Sequence, residues 1–125
     1  MWTDELFHVK KPIIALLHLR ALPGEPLYEK DATMGEVIKN AARELQALQE
    51  GGVDGILIAN EFSLPYEKKV SYVTVAAMGR IVGELKKEIK VPFGVNIVSN
   101  PLATIDLAAA VEAAFIRLTF TAAYI

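Results

Sequence analysis

The sequence predicts an α/β fold of the parallel (β/α) barrel type, and three observations predict it. Four short runs, residues 12–18, 53–60, 91–98 and 115–120, are rich in Val, Ile, Leu and Phe and almost continuous in apolarity. Such runs suit strands covered on both faces. Longer amphipathic segments separate them, and right-handed βαβ crossovers turn that alternation into a parallel sheet. The loop after the first run, residues 19–26, holds one glycine and two prolines. It is neither a dinucleotide fingerprint nor a P-loop, which weakens the competing open, doubly wound sheet. Eight units of a barrel take about 250 residues, and this chain has 125. The expected architecture is about half of a (β/α)8 TIM barrel, with four strands, three helices and a short N-terminal helix. Residues 1–125 form a single partial barrel domain, because no linker or low-complexity segment divides them.

Each element has a local cause. Residues 3–7 can form a short helix ahead of the first strand. Thr33 and Glu36 have capping-box spacing, and Met34, Val37, Ile38, Ala41, Leu45 and Leu48 then follow as one apolar stripe. Gly51 and Gly52 supply the stop. The second helix places Val75, Met78, Ile81, Val82, Leu85 and Ile89 on one face, with Lys86, Lys87 and Lys90 opposite, near the negative end of its dipole. Asn100 before Pro101 reads as an N-cap followed by proline at the first helical position. Leu102, Ile105, Ala109 and Ala113 are the expected buried stripe of that third helix.

Composition narrows the chemistry. Apolar types make up 53% of the chain and charged types 22%, which excludes a disordered chain. With no cysteine there is no disulfide scaffold, thiolate catalysis or cysteine-held zinc or iron–sulfur. Two histidines argue against a histidine-rich metal site, so no metal and no cofactor is expected. A net charge of −2 gives no basic footprint for nucleic acid. The N-terminus carries Asp4 and Glu5 rather than a basic region followed by an apolar one. Residues 12–17 are too short to span a bilayer, and Glu112 breaks the alanine-rich stretch from Leu107. The expected location is cytoplasmic, with peripheral membrane contact left open.

The polar residues at the strands' carboxyl ends point to a site. Counting alternate positions puts Ile14, Leu16 and His18 on one face, and likewise Ile56, Ile58 and Asn60. Gly94 and Asn96 pair in the third strand, and Phe115, Arg117 and Thr119 in the fourth. Phe93, Val95, Ile97, Ile116, Leu118 and Phe120 would then meet the helices. Polar groups converging at the carboxyl ends of parallel strands mark the ligand side of α/β folds. His18 either caps the barrel layer or transfers a proton. Asn60 and Asn96 either tie down loops or bind substrate. Glu61 has the opposite parity to Asn60, which favours a solvated or loop-bracing role over catalysis; it is counted with Asn60, Asn96 and Arg117 among the substrate-binding candidates. A guanidinium within a strand needs a partner, so Arg117 meets either an anion or a neighbouring carboxylate. Asp54, at the start of the second strand, is structural.

Residues 11–19, then Leu22-Pro23-Gly24, resemble the start of the BtpA/SgcQ family. Residues 51–56 and 60–66 are similar to its second strand and loop, closest to the SgcQ-like branch. Residues 91–96 and 106–110 continue the resemblance, which runs from about residue 10 to 118 and covers the N-terminal half of the family pattern. It implies a barrel of the ribulose-phosphate-binding type. Members are commonly labelled photosystem I or membrane biogenesis proteins, and SgcQ-like ones nucleoside triphosphatases. Two departures stand out. After Arg117 the family usually places Asn or Glu and then Thr-Gly, where this chain has Leu118, Thr119, Phe120 and Thr121. The family also continues for about as many residues again. In such barrels the phosphate grip usually follows strands seven and eight, so this half is expected to lack it.

These readings converge on a barrel protein acting on a small phosphorylated or nucleotide-like metabolite. His18 would transfer a proton, Asn60 and Asn96 would orient hydroxyls or carbonyls, and Arg117 would pair with an anion. Two alternatives stand beside it: a non-enzymatic biogenesis factor using the apolar loop at residues 62–66, and an inactive truncated barrel. Open sheet edges and an exposed inner face would draw copies into a homo-oligomer.

Overall fold

The apolar runs become four parallel strands in a computed structural model that describes residues 1–62 and 66–118. The chain runs α1 (Trp2–Phe7), β1 (Ile14–His18), α2 (Met34–Glu50), β2 (Gly55–Ala59), α3 (Tyr72–Leu85), a 3-10 turn (Lys86–Glu88), β3 (Phe93–Asn96), α4 (Pro101–Val111) and β4 (Phe115–Ile116). The strands pair in sequence order, β1-β2-β3-β4, every pair parallel. Sequential parallel strands alternating with helices are the pattern of half an α/β barrel. The last strand was expected to reach residue 120; Thr119 and Phe120 lie outside the described residues, as do residues 63–65 of the apolar loop.

One face of the sheet packs on the helices. Leu17, Ile56, Ile58, Val95 and Ile97 are buried there. They meet Val37, Ala41 and Leu45 of α2, Met78, Ile81, Val82 and Leu85 of α3, and Leu107 and Val111 of α4. The stripes expected for α2 and α3 are therefore the stripes that pack. Thr33 caps α2 by accepting from the Glu36 N–H at 3.2 Å, and Asp54 accepts from the Ile13 N–H at 2.8 Å, fastening the start of β1 to that of β2.

α4 departs from expectation. Thr104, Leu107 and Val111 face the core, while Leu102, Ile105 and Ala109 are exposed. The helix is apolar nearly all round, so periodicity does not select a face. The Thr104 hydroxyl does: it accepts from the Ile97 N–H at 2.9 Å and donates to the Asn100 carbonyl at 2.8 Å. A threonine satisfied in this way is drawn to the core side.

β2 departs by one residue. Its register sets Gly55 beside Ile14, Leu57 beside Leu16 and Ala59 beside His18. It is therefore Gly55, Leu57 and Ala59 that share the inner face with His18, and Ile56, Ile58 and Asn60 that turn to the helices. At the amino ends of the strands two rings fill this inner face. A side chain at Gly55 would collide with the Phe7 ring, and one at Gly94 with Phe115. The two rings meet edge-on with centroids 5.7 Å apart. Farther up the same face, Leu16 remains 47% exposed.

Candidate functional site at the carboxyl ends of the strands

Four side chains converge where the inner face reaches the strand ends. His18 ends β1 and Asn96 ends β3, paired with Ala59 between them. Arg117 lies two residues past Phe115 and continues its parity, with its N–H on the Val95 carbonyl. Glu61 lies two residues past Ala59 and shares that parity. Its Oε1 accepts a hydrogen bond from an Arg117 terminal NH2 group. That same group donates to Asn96 Oδ1 at 3.1 Å, and Asn96 Nδ2 donates back to the Arg117 carbonyl at 2.7 Å.

The other oxygen of Glu61, Oε2, lies 2.9 Å from His18 Nε2. The contact is close but not aligned as a hydrogen bond, and the buried Nε2 has no other partner among the described residues. Hydrogen bonds of this kind often straighten only when a substrate binds. The guanidinium thus fixes one carboxylate oxygen while the other faces an imidazole that can take up or release a proton. Arg117 is matched by a carboxylate, one of the two partners its position calls for.

Asn60 is not part of this cluster. Its parity carries it to the helix side, where it is buried. There its Oδ1 accepts from the Val98 N–H at 2.8 Å, and its Nδ2 donates to Glu25 Oε2 at 3.2 Å. Glu25 also accepts from the Leu22 N–H at 2.8 Å. Burial raises the Glu25 carboxyl above the usual carboxylate range; the bonds from Leu22 and Asn60 oppose that rise, and the negative charge of Glu67 adds to it. Asn100 extends the belt. Its Oδ1 accepts from the Val70 N–H at 3.0 Å, and its Nδ2 donates to the Glu67 carbonyl at 3.0 Å and the Val98 carbonyl at 2.7 Å. The loops after β1, β2 and β3 are therefore knitted together directly behind the mouth.

Two features escape sequence reasoning here: the central position of Glu61 and the Glu25–Asn60–Asn100 belt. Gly55 and Gly94, on the same face and each under an aromatic ring, are the signal that would have fixed the parity of β2. No group of three or more His, Cys, Asp or Glu side chains suited to a metal ion occurs among the described residues. No described helix is long and apolar enough to cross a membrane.

Fold and mouth together define a protein of the (β/α) barrel class, with an imidazole, a carboxylate and a guanidinium in contact at the strand ends. The chain belongs to the BtpA family, whose sequence pattern matches residues 9–125. It is 50% identical over 123 residues to SgcQ, a protein of the sgc region of Escherichia coli K12, covering 98% of this chain and 46% of that one. An uncharacterized protein of Pyrococcus horikoshii is 38% identical over 86% of this chain and 41% of its own length. The photosystem I biogenesis protein BtpA of Synechocystis is 35% identical over 91% of this chain and 40% of its own. The chain thus spans about half the length of the curated relatives it matches. No solved structure matches.

Proposed function

We propose that the mouth supports proton transfer on a small phosphorylated or nucleotide-like metabolite. The observation that carries this proposal is the unaligned 2.9 Å approach of His18 Nε2 to a Glu61 carboxylate whose other oxygen is held by Arg117. His18 is the proton carrier. Glu61 orients the imidazole, in the manner of a base held by a third group. Asn96 holds Arg117 in place. Asn60, bound within the loop belt, is a positioning residue rather than a substrate ligand. Phosphate recognition is assigned to loops after later strands, as is usual in barrels. The absence of cysteine fits a reducing compartment, and we place the protein in the cytoplasm.

Calorimetric titration of a full-length form, carrying the later strands, with a panel of sugar phosphates and nucleotides tests this. At least one compound is expected to bind, and His18→Ala combined with Arg117→Ala is expected to weaken it by at least about tenfold. Equal binding by the parent and the double variant removes these residues from the account.

A second reading, an assembly factor without catalysis, is favoured by two observations. Phe62, beside Glu61 at the rim, is exposed, and one relative is named for photosystem I biogenesis. Retention of the protein on isolated membranes, abolished by Phe62→Ser and unaffected by His18→Ala, would support it.

A further inference from the structure

The outer surface of α3 and α4 carries an unpartnered apolar groove. α4 has one charged residue, Asp106, among its eleven, and its exposed side presents Leu102 (79% exposed), Ile105 and Ala109. Beside it α3 presents Tyr72 (87% exposed), Ala76 and Gly83 at helical spacing. Tyr72 and Ala76 form one wall of a groove of about 720 Å³, Leu102 and Asp106 line the other, and Lys68 and Lys69 border it. A glycine inside a helix costs about 1 kcal/mol against alanine, yet nothing lies within 4 Å of where a Gly83 side chain would begin.

Strands added to this sheet join it at β1 or β4 and cover its inner face, so they leave the outer groove open. A cover for it would come from another molecule, and the charges say which kind. The groove holds both signs, Lys68 and Lys69 with Asp106. An anionic lipid surface or an acidic peptide would match the lysines and be repelled by Asp106. A second copy related by a two-fold axis sets the lysines of one chain against Asp106 of the other. Self-complementarity of this kind is what a two-fold interface requires, and an exposed tyrosine amid aliphatic residues is the usual anchor.

We propose that the groove between α3 and α4 is the contact surface of a two-fold dimer of this chain. Isotope-labelled and unlabelled protein, mixed and treated with a carbodiimide, tests it together with sedimentation velocity. The expected result is a cross-link from Lys68 or Lys69 of one copy to Asp106 of the other. Leu102→Glu is expected to abolish the cross-link and weaken association by at least about tenfold, with an unchanged circular dichroism spectrum. Asp106→Lys alone is expected to weaken association, and adding Lys68→Glu and Lys69→Glu to restore it. No mixed cross-link at tens of micromolar protein, or no restoration by the triple charge reversal, overturns the proposal. Binding to phosphatidylserine vesicles that is lost in Leu102→Glu, without any mixed cross-link, assigns the face to lipid and overturns it equally.

Discussion

Glu61 holds Arg117 on one carboxylate oxygen and faces His18 with the other, while Asn60, its neighbour in sequence, points through the sheet to the helices. That one-residue step separates the inner-face cluster at the mouth from the loop belt behind it, and the two sides are expected to respond differently to substitution. Asn60→Ala leaves the part-buried Val98 N–H and one oxygen of the buried Glu25 without a partner. Each such group costs about 1–3 kcal/mol, so denaturant unfolding is expected to show a loss of about 2 kcal/mol or more. A loss within experimental error would mean that the belt is not formed. Glu25 makes stability depend on pH. Its carboxyl keeps a proton to higher pH when folded than when unfolded, so the folded chain binds more protons in the interval between. The stability tied to this group is full below the unfolded carboxylate value, about 4.3, and is lost as pH rises through the folded one. Parent protein is therefore expected to lose stability from that pH upward relative to Glu25→Gln; parallel profiles would contradict this.

Among the elements, legibility in the sequence follows contrast. α2 sets charged positions against its apolar stripe, α3 sets Arg80 and Glu84 opposite its own, and both stripes pack as their spacing predicts. α4 lacks that contrast, and its orientation is set by one hydroxyl, Thr104, which spacing cannot rank above Leu102 or Ile105. The consequence is measurable. Leu107→Ala removes a buried side chain and is expected to cost about 2–5 kcal/mol, whereas Leu102→Ala in dilute protein should stay within about 0.5 kcal/mol. The reverse order would return α4 to the orientation that buries Leu102, Ile105 and Ala109. The Lys86–Glu112 ion pair that joins α4 to the 3-10 turn lies at the surface and adds little.

At the scale of the whole molecule, the order of strands and helices was readable because apolar runs and caps are local signals. His18, Asn96 and Arg117 were readable as mouth residues for the same reason. The place of Glu61 was not. β2 is covered on both faces and reads Gly-Ile-Leu-Ile-Ala, so its own sequence does not say which parity faces which layer. Register against β1 and β3 decides it, through Gly55 and Gly94 lying under Phe7 and Phe115. Among the described residues β1 and β4 are the outer strands and Leu16 is exposed on the inner face; where no further strands cover them, we propose that copies of this chain associate through them. Leu16→Asp is then expected to lower the sedimenting mass while leaving any cross-link between Lys69 and Asp106 in place; an unchanged mass would count against association through the edges.

The convergence of His18, Glu61 and Arg117 is tested most directly by side-chain nuclear magnetic resonance. In spectra selective for histidine ring and arginine guanidinium nitrogens, Glu61→Gln is expected to shift the signals of both His18 and Arg117 while leaving those of His8 and Arg80 unmoved. If the substitution moves neither His18 nor Arg117, the three side chains do not meet, and the mouth is not the site described.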